Sequence, residues 1–225
     1  MLLINQSEGY LCGAQELALF TRWHEKHILK TSKTDICRVC GKEPETTFHI
    51  LAGCEQLAKK EYLDRHNSVA RYIHHAICKS LNIQTERKWH LHRPAEVIMD
   101  SRAELLWDLS LTTDRDVGAN RPDIVLRDKI KRMTYIIDVS CPSDVNVVSK
   151  EKEKVAKYSA LRAELGKMWN SKCIVIPVVI GGLGGLSENF VDYLNMIPAE
   201  ISKEMCLKAT LLGSERILRS VLSRK

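Results

Sequence analysis

The sequence predicts an α/β fold in which helices surround a mixed β-sheet, with a small Cys/His segment and a long helix ahead of it. Three short segments between residues 105 and 140 have strand character and are separated by turn-prone or charged stretches, which favours an antiparallel meander. A helical pattern over residues 149–169 precedes a continuous apolar run at residues 173–180. Because a helix between two strands sets them parallel, this last strand should join the meander in parallel.

The N-terminal part of the chain contains two helical patterns. Residues 15–29 carry apolar side chains among charged ones, which predicts a moderately amphipathic helix, and residues 30–35 predict a polar linker. Residues 55–81 predict a long helix, because their apolar side chains fall on one helical face, at Tyr62, Val69, Ile73, Ile77 and Leu81.

The meander is predicted from strands at residues 105–111, 123–127 and 133–140. The glycines at residues 181–185 lack the Lys-Ser/Thr pair of a phosphate-binding loop, so they predict a flexible exit from the last strand. The tail predicts one or two helices, interrupted near Gly213.

These patterns divide the chain into three parts. Residues 1–34 form an N-terminal helix and linker, residues 35–95 the Cys/His segment with its following helix, and residues 96–225 the sheet domain. A length of 225 residues allows one good core with a small appendage, or two small domains at most.

Composition indicates a folded protein, and the basic charge fits either an anionic partner or an ordinary solvated surface. Hydrophobic residues make up 44% of the chain and charged residues 28%. Lys and Arg number 34 against 28 acidic residues, giving a net charge of +6. No signal peptide is recognisable and no apolar run is long enough to span a bilayer, so we expect an intracellular protein, nuclear or cytoplasmic, with reduced cysteines and no membrane contact.

Four Cys and His residues have the spacing of a zinc knuckle. Cys37 and Cys40 are separated by two residues, and His49 and Cys54 follow within the next fourteen positions. Three thiolates and one imidazole complete a tetrahedral shell around Zn²⁺ with no open position, which predicts a structural metal site. The alternative is four unrelated buried side chains. Such a knuckle either contacts nucleic acid or braces a neighbouring domain.

Two aspartates are candidates for a second kind of metal site. Asp123 opens one predicted strand and Asp138 lies near the end of the next, so both carboxylates fall at the same end of a hairpin. Paired carboxylates provide the hard oxygen ligands that Mg²⁺ or Mn²⁺ needs to activate water and neutralise charge on a phosphodiester.

The ordered set of motifs resembles the C-terminal region of non-LTR retrotransposon Pol proteins, in which a zinc knuckle precedes a restriction-like endonuclease. The PD…D hairpin followed by a helix and a strand is similar to the core of the PD-(D/E)XK nucleases. The resemblance extends over nearly the whole chain and rests on Cys37-x-x-Cys40, Glu45-Thr46, His49, Cys54, Leu57-Ala58, Tyr62, Arg65-His66, Arg121-Pro122-Asp123, Asp138-Val139 and Lys154…Lys157-Tyr158.

The resemblance implies an α-β-β-β-α-β core of the restriction-endonuclease type and assigns roles to individual residues. Asp123, Asp138 and the Val139 carbonyl would bind the catalytic Mg²⁺ or Mn²⁺. The chain departs from the simplest nuclease motif because Ser140 stands where the lysine is expected. In the retrotransposon enzymes the following helix supplies this lysine, which favours Lys154 as the catalytic cation with Tyr158 orienting it.

Several alternatives stay open at this stage. Lys157 is the rival of Lys154, and both can equally belong to the solvated face of a charged helix. Candidate nucleic-acid contacts are Arg65, His66, Lys157 and Arg121, although Arg121 can instead pair with a nearby aspartate. Asp108 is either a third acidic contributor or a surface residue.

Two histidine-containing stretches have no role assigned by the resemblance. His74 and His75 either reach DNA phosphates or are surface side chains, and the surface interpretation is preferred. The loop at residues 89–93 contains a tryptophan, two histidines and an arginine, and this composition fits either stacking on nucleic acid or ordinary packing.

We therefore expect a metal-dependent endonuclease that nicks double-stranded DNA, with the RNA of the element as a second partner. In the family, the nick supplies the 3′ hydroxyl that primes reverse transcription. No Asp-Asp dipeptide occurs, so the polymerase step is not expected on this chain. The alternative is an inactive nucleic-acid-binding remnant, or a captured domain braced by zinc.

Overall fold

The computed structural model describes residues 5–224. Residues 1–4, which belong to the predicted N-terminal part, and Lys225 lie outside the described residues. The helices are α1 (Asn5–Gln15), α2 (Arg22–His24), α3 (Glu55–Ala58), α4 (Glu61–Ser80), α5 (Val147–Lys157), α6 (Ser159–Met168), α7 (Phe190–Met196) and α8 (Lys203–Leu222). The strands are β1 (Val97–Met99), β2 (Ala103–Trp107), β3 (Ile124–Asp128), β4 (Met133–Ser140) and β5 (Lys172–Val179).

The predicted mixed sheet is confirmed. Within residues 5–224 it has five strands in the order β1-β2-β3-β4-β5, in which the first four are antiparallel and β5 runs parallel to β4. The short edge strand β1 was not predicted, because three consecutive apolar residues are too few to show the alternating pattern of a strand. β2 also begins and ends earlier than the predicted segment at residues 105–111.

Helices cover both faces of the sheet. On one face, α4, α7 and α8 enclose apolar side chains that include Ile124, Ile137 and Ile176. On the other face, Tyr158 and the apolar side of α6 pack on Val125 and Ile136. The alternation of side chains along each strand explains this division, because neighbouring residues point to opposite faces.

A third core joins the N-terminal helix, the Cys/His segment and the C-terminal half of α8. Cys37, Leu51 and Cys54 are buried there against Ile217 and Leu218. The predicted boundaries near residues 34 and 95 stay a prediction, and this core contains residues from all three predicted parts.

Several helical patterns differ in detail from the prediction. The helix predicted at residues 149–169 is two helices, because Tyr158 lies outside the regular geometry at φ −97° and ψ 12°. The tail helix α8 runs through Gly213 without the predicted interruption. The single helix predicted at residues 15–29 is not formed. α1 ends at Gln15, and the rest of this region holds only α2 and one turn of π-helix, Glu25–Leu29.

The glycine loop after β5 is held in place and is not the flexible exit that the sequence predicted. The carboxylate of Asp144 accepts hydrogen bonds from the backbone N–H groups of Leu183 and Gly185, at 3.0 and 2.7 Å. A Cβ atom at Gly185 would approach Asp144 Oδ1 to 2.8 Å, so the close backbone approach needs glycine there.

None of the helices in the described part of the chain combines the length and the apolar character needed to cross a membrane.

Candidate functional sites

The Cys/His cluster predicted from spacing is assembled in space. The ligand atoms of Cys37, Cys40, His49 and Cys54 all lie within 4.8 Å of one another. Cys40 Sγ lies 3.4 Å from His49 Nε2, and the backbone N–H of Val39 points at Cys37 Sγ at 3.4 Å. Three soft sulfurs and one imidazole nitrogen suit Zn²⁺, so this cluster can hold a zinc ion.

Buried polar contacts fix the loops that carry these ligands. The carboxylate of Glu45, fully buried, accepts hydrogen bonds from the backbone N–H groups of Arg22 and Arg38 and from the Arg38 guanidinium. The Tyr62 hydroxyl accepts a hydrogen bond from the N–H of Cys54 at 3.0 Å and donates to the carbonyl of Ile50 at 2.8 Å. Glu45 and Tyr62 therefore hold the knuckle backbone from two sides.

The second site lies where β3 begins and β4 ends. Ile124 pairs with Ile137 in the antiparallel register, so Asp123 and Asp138 are the next residues along their strands at the same end of the hairpin. The carboxylate of Asp123 accepts a hydrogen bond from the backbone N–H of Val139 at 2.6 Å. The two acidic residues are thus brought together at one strand end, as expected.

Asp138 is buried between two side chains that follow β4. The Tyr158 hydroxyl donates a hydrogen bond to Asp138 Oδ1 at 2.5 Å, and Lys154 Nζ lies 2.5 Å from Oδ2. The side chain of Asp138 is 3% exposed and that of Lys154 15%. Burial and the adjacent carboxylate raise the pKa of Tyr158 above its ordinary value, so the phenol stays protonated and remains a donor.

The two candidate lysines make different contacts. Lys154 pairs with the Asp138 carboxylate, whereas Lys157 Nζ donates to the Tyr158 hydroxyl at 2.9 Å and lies over the Tyr158 ring. Lys154 therefore contacts an acidic residue of the site directly. Lys157 reaches the site only through Tyr158.

His66 on α4 is a part of this site that the sequence did not place there. Its Nε2 donates to Asp123 Oδ2 at 3.0 Å and to the Val139 carbonyl at 3.2 Å, and Asn67 Oδ1 lies 3.0 Å from Nδ1. Burial disfavours the imidazolium, but the hydrogen bond and charge of Asp123 outweigh burial and raise the pKa of His66 to about 9. A positive group therefore lies between the Asp123 carboxylate and the Val139 carbonyl at neutral pH.

A cavity of about 300 Å³ opens beside this site. Its lining includes His66, Val139, Ser140 and Lys154, together with Tyr62 from the start of α4. The site is consequently accessible from the side on which the Cys/His cluster packs.

The remaining predicted nucleic-acid contacts have other partners. Arg65 is 2% exposed, and its guanidinium donates to the carbonyls of Leu51 and Cys141 and to the Ser214 hydroxyl. This burial is incompatible with the phosphate contact expected of Arg65. Arg121 is exposed and forms a bidentate pair with Asp108, the alternative that the sequence left open.

The histidines of α4 also differ from the prediction. His74 and His75 are buried, at 0% and 5% exposed, and not on the surface as interpreted from the sequence. In the loop at residues 89–93, Trp89 packs edge-to-face on Tyr72, which corresponds to the packing alternative for that side chain.

No model of a known protein family matches the sequence, and no curated protein matches it significantly.

Proposed function

We propose that this chain is a metal-dependent endonuclease of the restriction-like type that nicks double-stranded DNA, and that it corresponds to the C-terminal region of a non-LTR retrotransposon Pol protein. The observation that carries the proposal is the arrangement at one end of the β3–β4 hairpin. There the acidic residues Asp123 and Asp138 lie side by side in register, with Lys154 on the Asp138 carboxylate.

The donor atoms suit a hard divalent cation. Two carboxylates and the Val139 carbonyl are oxygen ligands of the kind that Mg²⁺ and Mn²⁺ prefer. The imidazole of His66 contacts the Asp123 carboxylate and the Val139 carbonyl, so it would have to turn away for a metal ion to bind these two oxygens. When bound, the metal supplies activation of water and neutralisation of charge on the phosphate.

The protein side chains would divide the other tasks. Tyr158 and Lys154 fix the orientation of the Asp138 carboxylate, since each contacts a different oxygen. The Lys154 ammonium is the group best situated to orient water or to stabilise negative charge on the phosphate. Lys157 would support the site through its contact with Tyr158.

The order of the elements also supports the proposal. Helix α4 precedes the antiparallel strands β2, β3 and β4, and α5 and α6 form the connection to the parallel strand β5. This order agrees with the α-β-β-β-α-β core of the restriction-endonuclease type, to which β1 would be an added edge strand. The knuckle would dock nucleic acid, either target DNA or the RNA of the element, in the nucleus.

The test is nicking of supercoiled plasmid in Mg²⁺ or Mn²⁺. Asp123→Asn and Asp138→Asn keep the side-chain volume and should reduce formation of open circles to the level seen without metal. Asp108→Asn is the matched control, because the exposed Asp108 side chain contacts Arg121 and the substitution leaves its backbone hydrogen bond to the Asp123 carbonyl in place, so this variant should cut like the wild type. Circular dichroism verifies that each variant is folded. Equal nicking by the wild type and the three variants would exclude an endonuclease activity that depends on Asp123 and Asp138.

A second candidate is a nucleic-acid-binding module without turnover. The His66 contact favours it, because that imidazolium occupies the two oxygens that a catalytic metal would need. For this candidate, DNA affinity falls as salt rises, and no protein in the series nicks DNA in either metal.

A further inference from the structure

A second cluster of His and Cys side chains lies away from both sites described above. His74 and Cys78 are four residues apart on α4, so they lie on the same face of the helix one turn apart. His92 reaches them from the segment that follows α4, immediately after the 3₁₀ turn Trp89–Leu91. All three side chains are buried, at 0%, 1% and 6% exposed.

The ligand atoms of this trio are close to the spacing of a zinc shell. All three lie within 4.8 Å of one another. His74 Nδ1 is 2.8 Å from His92 Nε2 and 3.5 Å from Cys78 Sγ. Zn–N bonds near 2.1 Å and Zn–S bonds near 2.3 Å at tetrahedral angles separate neighbouring ligand atoms by roughly 3.3–3.7 Å. A shift of about half an ångström between the two imidazoles would therefore accommodate the ion.

The surroundings of His92 are those of a metal-bound histidine. Its Nδ1 lies 2.7 Å from Glu86 Oε2 and 2.8 Å from the Thr85 hydroxyl. A carboxylate only accepts hydrogen bonds, so Nδ1 carries a proton and Nε2 is the nitrogen left for the cluster. A carboxylate on the far nitrogen is the common outer contact of histidines that ligate zinc, since it fixes the ring and increases the basicity of the ligating nitrogen.

We propose that His74, Cys78 and His92 bind a second zinc ion, separate from the knuckle and independent of the nuclease function. With three protein ligands, a tetrahedral ion keeps one position for water or another small ligand. A cavity of about 440 Å³ adjoins the cluster and is lined by Cys78 and His92 themselves, which provides the room for that ligand.

The structural role of this zinc would be to attach the irregular segment that follows α4 to the C-terminal end of that helix. Between Ser80 and Val97 the described chain has no regular element other than the 3₁₀ turn, yet His92 is almost fully buried within it. Without metal, the two imidazoles would share one hydrogen bond and the thiol would make only a weak one. With metal, two bonds from α4 and one bond from His92 would meet at the ion and so join the segment to the helix.

Metal stoichiometry tests the proposal on the full chain. Protein purified with excess zinc and dialysed against metal-free buffer should retain two zinc ions per chain, as measured by mass spectrometry. Cys78→Ala and His92→Gln should each retain one. Cys206→Ala and His75→Gln are matched controls, a buried thiol and a buried imidazole outside the trio, and should retain two.

Cobalt substitution supplies an independent readout. The knuckle should give a strong thiolate-to-cobalt charge-transfer band, because it has three sulfur ligands, and the second site a weaker band from its single sulfur. Cys78→Ala should remove only the weaker component. One zinc per wild-type chain would overturn the proposal, even if the variants failed to fold. Two zinc ions that survive both Cys78→Ala and His92→Gln would also overturn it.

Discussion

At the scale of single residues, the Asp138 carboxylate depends on its partners because it is almost fully buried. A buried charge without a partner is strongly destabilising, whereas a pair with good hydrogen bonds is tolerated. Lys154 supplies the opposite charge and Tyr158 a hydrogen bond, each to a different oxygen. Lys157 contacts neither carboxylate oxygen and bonds to the Tyr158 hydroxyl instead.

Replacing each lysine by methionine separates their roles. Lys154→Met should lower the free energy of unfolding by about 2–4 kcal/mol at neutral pH without metal, because it leaves Asp138 unpaired. It should also abolish plasmid nicking. Lys157→Met should change stability by about 1 kcal/mol or less, since a single exchangeable hydrogen bond is lost, and should reduce nicking only moderately. Urea unfolding and single-turnover nicking measure the two effects.

The opposite ranking would contradict this assignment. If Lys157→Met abolished nicking while Lys154→Met retained it, Lys157 would be the catalytic cation, and the pair with Asp138 would be purely structural.

The site residues that sequence could predict are those whose positions follow from local spacing. Asp123 and Asp138 meet because a short turn sets the hairpin register, and Lys154 follows on the next helix. His66 was not assigned to the proposed catalytic site because its contact with Asp123 depends on how α4 packs against the sheet, and the two residues are 57 positions apart in sequence. The same packing turns its neighbour Arg65 inward, which residue type alone does not reveal.

At the scale of elements, apolar spacing identified helices and strands but not their interruptions. Residues 147–168 have one amphipathic pattern, yet the helix breaks at Tyr158, whose hydroxyl reaches Asp138. The pattern gives no sign of this break, because apolar spacing carries no information on the polar contact that Tyr158 makes with Asp138 of β4. Conversely, the glycine near the middle of α8 predicted an interruption, but the helix is continuous. Gly213 lies where α8 approaches Arg65 of α4 closely, so glycine is needed there for packing.

The crossing of α8 over α4 gives a prediction about Gly213. A Cβ atom there would lie 2.6 Å from Arg65 Cγ and 3.2 Å from Arg65 Cα, so the helices must separate or Arg65 must move. We expect Gly213→Ala to destabilise the protein by about 1–3 kcal/mol despite the higher helix propensity of alanine. Chemical denaturation measures the change.

Gly9→Ala is the control for helix propensity, because Gly9 lies within α1 and a Cβ there meets nothing within 4 Å. This variant should be neutral or stabilised by up to about 1 kcal/mol. Stabilisation of both variants would mean that the two long helices are not packed as closely as described.

At the scale of the whole molecule, the Cys/His segment is joined to the sheet domain by more than its linker. Its buried residues share a core with the C-terminal half of α8. Arg65 adds hydrogen bonds to the carbonyls of Leu51 in the knuckle and Cys141 after β4, and to the Ser214 hydroxyl in α8. Arg38 donates to the carbonyl of Arg224, just beyond the end of α8.

Loss of a zinc ion held by the Cys/His cluster should therefore loosen α8 as well as the segment that carries the cluster. Cys40→Ser removes one ligand of that cluster and leaves other sites intact. A chelator would also remove a second zinc ion bound elsewhere, so it cannot separate the two effects. Leu51, Cys54 and Leu57 would then lose their fixed positions against Ile217 and Leu218. Losing contacts of this kind costs about 3 kcal/mol, equivalent to a roughly hundredfold fall in hydrogen-exchange protection.

The expected pattern is faster exchange at residues 35–58 and 214–222, with β4 and β5 unchanged because their core lies against the other part of α8 and the remaining helices. Cys12→Ser is the control, since Cys12 is an exposed cysteine outside both clusters. Hydrogen exchange followed by mass spectrometry distinguishes the regions. Faster exchange confined to residues 35–58 would show that the knuckle folds independently of α8, and uniform loss across the sheet would show that zinc supports the entire fold.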